Sequence, residues 1–205
     1  MLIIEPGPGA RDRLKAAFEA GQPSVVLIRP NAGDKLGAGE VKPLVDVAQD
    51  QGAAAILFED ADLAVTLKAD GVHLPAGLDV RLRVEAARAV LGADASIGVD
   101  AGHSRHSAME AGEAGAEYVA FGAGDGTEAG RGARDELITW WGEIFEVPCV
   151  ALDLASGAEV AAANHNGADF AALVVPSETS IEAVMTLVGD ADMALMQNGC
   201  AAEPA

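Results

Sequence analysis

Carboxylates and imidazoles recur in this chain at positions from which they could exchange protons. The acids are Glu59, Asp60, Asp100 and Asp153, and the histidines are His73 and His103. An imidazole gains or loses its proton near neutral pH, so a carboxylate beside it can support general acid–base catalysis. Asp100 and His103 are three residues apart and are the predicted catalytic pair. His73, which stands in an apolar segment, could instead be a structural residue at a strand end.

A second set of residues could bind an anion. Arg29 can hold a phosphate with two hydrogen bonds, or it can pair with a neighbouring acid. The segment from Gly122 to Gly132 has five glycines together with Thr127 and Arg131. Such a segment can form a nest of backbone N–H groups for an anion, or a flexible surface loop. It lacks the Gly-Lys-Ser/Thr ending of a nucleotide-binding P-loop.

Nearly all of these residues stand at or just after short apolar runs, which are typical of parallel strands covered on both faces. The predicted strands are Leu2 to Ile4, Ser24 to Ile28, Ala54 to Phe58, Gly71 to Leu74, Ser96 to Val99, Tyr118 to Gly122, Cys149 to Leu152 and Phe170 to Val174. Apolar residues at helical spacing predict helices over Ala10 to Ala20, Gly39 to Gln51, Asp79 to Leu91, Ser107 to Ala114, Ala133 to Phe145 and Ser180 to Val188.

Eight alternating units in 205 residues predict a single-domain (β/α)8 TIM barrel. One helix-to-strand turn occurs three times, around Gly52, Gly115 and Gly167, which indicates a repeated unit. An open, doubly wound sheet stays possible at this stage because strand order cannot be read from sequence. The barrel is predicted over residues 1–190, with a C-terminal tail over residues 191–205.

The composition is strongly acidic, with 32 acidic against 13 basic residues and a net charge of −19. Nucleic acids and anionic membranes are bound by clustered lysine and arginine, so neither is an expected partner. The chain has no segment typical of a signal peptide or a membrane span. Its two cysteines suggest neither a disulfide framework nor a metal motif. These features favour a cytoplasmic protein.

Four separated motifs resemble one known family. They are Phe58-Glu59-Asp60-Ala61-Asp62-Leu63-Ala64, Ala69-Asp70-Gly71-Val72-His73-Leu74, Ile97-Gly98-Val99 and Gly115-Ala116-Glu117-Tyr118-Val119-Ala120-Phe121-Gly122. The longer ones match Asn-Asp-Arg-x-Asp-Leu-Ala, Gly-Ala-Asp-Gly-Val-His-Leu and Gly-Ala-Asp-Tyr-Val-Gly-Phe-Gly in order and spacing. Over roughly residues 1–190 the chain therefore resembles thiamin-phosphate synthase and its thiazole tautomerase-like relatives.

This resemblance implies a barrel that couples hydroxymethylpyrimidine diphosphate, bound with Mg²⁺, to thiazole phosphate and releases pyrophosphate. Arg29 matches the arginine of the family's diphosphate motif, and Lys35 is the nearest substitute for its missing lysine. Asp60 matches a metal-binding aspartate, although it could equally be a helix N-cap. The implied substrate-binding residues are Arg29, Lys35, His73, Thr127 and Arg131. Arg29 also joins Asp100 and His103 in the predicted catalytic set.

The chain departs from the family at positions that contact anions. Asp100 stands where a serine is expected, and Asp153 with Leu154 replaces a phosphate-binding Gly-Gly pair. The segment from Gly122 to Gly132 lacks the family's lysine and both prolines. Added carboxylates repel a phosphate, and losing glycine blocks the close approach of backbone N–H groups. We therefore expect synthase activity to be weak or lost, with Arg29, Asp60 and Thr127 carrying any that persists.

Two other functions stay open. A tautomerase-like or other enzyme that acts on a small non-phosphorylated ligand would need no diphosphate site. A non-catalytic binding protein could use the adjacent Trp140 and Trp141 as an apolar patch, unless one of them packs against the barrel. A small molecule is the expected partner, and self-association into a homo-oligomer is left open.

Overall fold

Eight parallel strands close into a barrel in which each strand pairs with its neighbours in the chain and the last pairs with the first. This computed structural model describes residues 1–124 and 126–199. The strands are β1 (Leu2–Ile4), β2 (Val25–Ile28), β3 (Ala54–Phe58), β4 (Gly71–Leu74), β5 (Ser96–Asp100), β6 (Tyr118–Phe121), β7 (Cys149–Leu154) and β8 (Phe170–Val175).

A helix follows each strand and covers the outside of the barrel, because parallel strands need crossover connections. The helices are α1 (Ala10–Ala20), α2 (Ala38–Asp50), α3 (Ala61–Leu67), α4 (Val80–Leu91), α5 (Arg105–Glu113), α6 (Glu128–Ile144), α7 (Gly157–His165) and α8 (Ile181–Gly199). Apolar residues at helical spacing face the strands, as Val41, Leu44 and Ala48 of α2 do. Within the described ranges, no helix combines the length and the apolar character needed to cross a membrane.

The predicted TIM barrel is confirmed, and the open sheet is excluded because β1 pairs with both β2 and β8. Several predicted boundaries differ from the structure, two of them by more than two residues. Helix α6 begins at Glu128, so residues 128–132 of the glycine-rich segment are helical rather than loop. The hydroxyl of Thr127 accepts a hydrogen bond from the N–H of Gly130 and caps this earlier start. Helix α8 continues past residue 190 to Gly199, and residues 200–205 of the predicted tail lie outside the described part.

Alternate residues of each strand point into the barrel or out toward the helices. The buried apolar interior includes Ile3, Leu27, Ile56, Tyr118, Ala120, Val150, Leu152 and Ala172. A larger apolar layer lies between strands and helices and includes Leu2, Val26 and Leu57. The same alternation, continued to the strand ends, directs Arg29 and Asp100 toward the mouth at the C-terminal end of the barrel.

Candidate active site at the barrel mouth

Arg29 and Asp153 form an ion pair across the mouth. Arg29 directly follows β2, and its Nη1 lies 2.7 Å from Oδ1 of Asp153 on β7. The two side chains are 25% and 41% exposed, so the pair contributes about 1 kcal/mol or less to stability. Its importance is chemical. Arg29, which the sequence predicts to bind a phosphate, already has a carboxylate partner within the protein.

A register shift in β7 turns Asp153 toward that partner. Val150 and Leu152 point into the barrel, so strict alternation would direct Asp153 outward and Leu154 inward. The pairing with β8 slips between Ala151 and Leu154, and Leu154 instead packs in the outer layer. The shift brings Oδ2 of Asp153 within 3.3 Å of the position that a Cβ on Gly122 would occupy.

Two acids at the C-terminal ends of strands have a backbone conformation that favours glycine. Glu59 follows β3 with φ 64°, and Asp153 lies in β7 with φ 58°. Non-glycine residues rarely adopt this left-handed region, and holding one there costs about 1 kcal/mol. At Asp153 the backbone therefore keeps a conformation suited to the glycine that the family resemblance leads one to expect.

Asp100 and His103 share the mouth with this ion pair. Burial raises the pKa of the Asp100 carboxyl, whereas a hydrogen bond from the N–H of Gly102 lowers it. The negative charge of Asp153 raises the same pKa further, and the positive charges of His103 and Arg29 oppose that change. His103 lies against the sixth loop, with Nε2 2.7 Å from the position of a Cβ on Gly124. The structure thus brings together the three predicted catalytic residues, whose roles stay predictions.

His73 forms the floor beneath these charges with two aromatic rings. Its Nδ1 is 3.1 Å from the hydroxyl of Tyr118, and the two rings stack with centroids 5.8 Å apart. Phe58 lies on the other side of the imidazole, with ring centroids 6.1 Å apart. Burial, reinforced by the positive charge of Arg29 and opposed by Asp153, lowers the pKa of His73 to about 4. His73 is therefore neutral at pH 7 and suited to hydrogen bonding, while its substrate-binding role stays a prediction.

The low pKa of His73 predicts a loss of stability in acid. As the pH falls below about 6.5, an unfolded histidine binds a proton while the folded one does not, so the unfolded state gains free energy of protonation. This contribution is absent above pH 6.5 and approaches about 3 kcal/mol of destabilisation at pH 4. Urea unfolding of wild type and His73→Gln between pH 7 and 4 measures it. The free energy of unfolding of His73→Gln should fall less between pH 7 and 4 than that of wild type, whereas the exposed-site control His106→Gln should fall as wild type does. The same pH dependence in all three proteins would contradict the assignment.

Other predicted binding residues have local structural partners. Thr127 caps α6, as described above, and Nη1 of Arg131 donates to the carbonyl of Gly126 at 2.6 Å. Lys35 and Asp60 line a cavity beside the mouth, between the loop after β2 and helices α3 and α4. Trp141 is buried against the barrel, and the guanidinium of Arg105 covers the ring of Trp140 at 4.7 Å. This placement removes the apolar patch considered for a binding protein.

Asp60 fits a helix cap better than a magnesium site. Its Oδ1 accepts a hydrogen bond from the N–H of Leu63 at 2.9 Å, which satisfies a free donor of α3. Magnesium requires near-octahedral oxygen coordination. In the described part of the chain, no three histidine, cysteine, aspartate or glutamate side chains are placed to bind one ion. The residues present therefore do not build the implied Mg²⁺ site around Asp60.

Sequence reasoning missed Tyr118, the only tyrosine of the chain. It stood within a family motif, but nothing in the pattern marked it as the hydrogen-bond partner of His73. Its alternation with Ala120 could have placed it inside the barrel. Its partner depends on the side-by-side order of β4, β5 and β6, which periodicity does not give.

The fold and the site define a (β/α)8 barrel whose mouth carries two carboxylates, an ion-paired arginine and a buried histidine–tyrosine pair. The sequence profile of the thiamine monophosphate synthase family matches residues 1–176. The chain therefore belongs to the thiamine monophosphate synthase family, and the resemblance drawn from its motifs is confirmed.

Individual relatives agree with this assignment. The thiamine-phosphate synthase of Erythrobacter litoralis is 40% identical over 173 residues, which cover 80% of each chain. That of Rhodospirillum centenum is 41% identical over 164 residues, or 78% of each chain. The solved structure of thiamine phosphate pyrophosphorylase from Pyrococcus furiosus has a TM-score of 0.74 at 19% identity, covering 96% of this chain and 95% of the other. At that identity the match shows a shared fold.

Proposed function

We propose that this protein is a ligand-binding barrel of thiamin metabolism whose synthase activity is weak or lost. The observation that carries the proposal is the 2.7 Å ion pair between Arg29 and Asp153. A diphosphate would have to displace the Asp153 carboxylate from Arg29 and then lie beside that negative charge. Membership of the family, and the names of the relatives at about 40% identity, support thiamin metabolism as the setting.

The synthase reaction needs a site that stabilises a departing diphosphate and holds a second phosphate. Cations, metal ions and backbone N–H groups stabilise such charge when they are placed where it develops. Here Asp100 and Asp153 bring negative charge to the same space, and the carboxylate of Asp60 caps α3. These residues favour a ligand without phosphate groups, one that is neutral or cationic and can donate hydrogen bonds to carboxylates.

A tautomerase-like proton transfer is the second candidate. The observation that favours it is the partly buried Asp100, whose raised pKa brings its ionisation closer to neutral pH, with His103 nearby. Carboxyl groups of raised pKa in clefts are common among general acids and bases. In this alternative Asp100 accepts a proton from the ligand and His103 returns one, while Arg29 orients Asp153.

The test is formation of thiamin phosphate from hydroxymethylpyrimidine diphosphate, thiazole phosphate and Mg²⁺ by the purified protein. We expect turnover at least about a hundredfold below that of the Erythrobacter litoralis relative assayed in parallel, because losing preorganised charge stabilisation has effects of this size. Turnover at the relative's level that collapses in Arg29→Ala would refute the proposal. A parallel experiment tests proton transfer: the protein is mixed with thiazole ligands in D₂O, and proton NMR follows the replacement of ligand protons by deuterium. The control variant is Asp100→Asn, which lacks the proposed proton acceptor.

A further inference from the structure

A cavity of about 630 Å³ lies beside the mouth, between the loop after β2 and helices α3 and α4. Small-molecule sites usually have volumes of about 300–1,000 Å³. The cavity is outside the barrel, so its occupancy is independent of the function proposed above. Phe58, at the end of β3, lines it and also contacts His73 in the barrel floor. A ligand here would thus be next to the mouth without entering it.

The inner wall of this side cavity is apolar. Leu74 is buried at the end of β4, and Leu36 packs against the outer core from the loop after β2. Val90 of α4 forms the outer edge and is 45% exposed. Together these side chains give an apolar surface from which a body about the size of one aromatic ring would exclude water.

The rim of the side cavity is mainly acidic. Four carboxylates line it, from Asp34, Glu59, Asp60 and Asp62, against two cations, from Lys35 and Arg83. The guanidinium of Arg83 already has a hydrogen-bond partner, because its Nη1 donates to the carbonyl of Pro75 at 2.7 Å. A cleft with an excess of one charge, in a chain of net charge −19, concentrates counter-ions of the opposite sign.

The geometry points to a site for a small organic cation with an aromatic or aliphatic body. The body would lie on Leu36, Leu74 and Val90, and the charged head would face Glu59 and Asp62. An anion of the same shape would face four carboxylates and would have Lys35 as its main partner, so it is disfavoured.

The test uses three matched probes on the intact protein: benzylammonium, benzyl alcohol and benzoate. Binding is followed at low ionic strength by the NMR shifts of the methyl groups of Leu36 and Val90. We expect benzylammonium to bind about fivefold or more tightly than benzyl alcohol, with a preference that weakens in salt, as a surface charge interaction does. Equal affinity of the cation and the alcohol, or tighter binding of benzoate, would overturn the proposal.

Three variants locate the site. Ala86 is exposed and lines the cavity, so Ala86→Trp should fill it and abolish binding without disturbing the core. Glu59→Gln should lower the affinity for benzylammonium by about fivefold and leave the affinity for benzyl alcohol unchanged. Glu85→Gln removes the same charge from α4 outside the cavity lining and should change neither affinity. Undiminished binding in Ala86→Trp would place the cation elsewhere and overturn the assignment.

Discussion

Replacing Asp153 by glycine is expected to raise the affinity of the barrel mouth for inorganic pyrophosphate by about 10- to 100-fold. The change frees the Arg29 guanidinium, whose Nη1 now lies 2.7 Å from the carboxylate, and removes a negative charge from the site. A hydrogen bond to a charged group is worth about 1.5–3 kcal/mol, which corresponds to this range. Glycine also suits the φ of 58° at this position, so the backbone should keep its conformation.

Isothermal titration of pyrophosphate into wild type and Asp153→Gly measures the gain. Three further variants separate its causes. Asp153→Asn removes the charge and keeps the side-chain volume, whereas Asp153→Ala removes both but leaves a residue that disfavours positive φ. Arg29→Ala combined with Asp153→Gly should lose the gain, because the cation is then absent. Equal, weak binding in wild type and Asp153→Gly would show that Asp153 is not what keeps anions out.

Asp153 also shows where sequence reasoning reached its limit at the site. The sequence predicts that Asp153 follows the seventh strand and is one of the acids that could exchange protons. It also leaves open that Arg29 pairs with an acid. Period-two alternation alone would direct the side chain outward, because Leu152 points inward. The register shift and the positive φ reverse that direction. Both depend on how β7 pairs with β8, which is a tertiary property.

The fold was more predictable than the site because each of its signals is local. Strand β3 and strand β4 begin and end at the predicted residues, since continuous apolar runs bounded by turns define them. The start of α6 was missed because the glycines at 130 and 132 read as loop, whereas the Thr127 cap supports a helix there. Asp60 was predicted with two alternatives, and its contact with Leu63 shows the capping role.

Replacing Gly98 by alanine is expected to destabilise the barrel by about 3 kcal/mol. His73, Gly98 and Tyr118 are register partners on β4, β5 and β6, so they form one row across the barrel wall. The Tyr118 ring crosses over Gly98 to reach His73. A methyl group on Gly98 would lie 1.8 Å from Cζ of Tyr118 and 2.3 Å from its hydroxyl. The ring would have to move, breaking the 3.1 Å hydrogen bond in a buried setting.

A double-mutant cycle tests whether the ring is the reason for glycine at this position. Tyr118→Leu removes the atoms that a methyl group would meet, so in that background Gly98→Ala should cost less than about 1 kcal/mol in urea unfolding. Gly71→Ala is the matched control on the neighbouring strand. Its methyl would lie 1.9 Å from the backbone carbonyl of Ser96, which no side-chain change relieves, so its cost should be the same in both backgrounds. Gly98→Ala could instead lower the free energy of unfolding as much in the Tyr118→Leu background as in wild type. The backbone, and not the Tyr118 ring, would then require glycine at this position, and the His73–Tyr118 pair would not explain it.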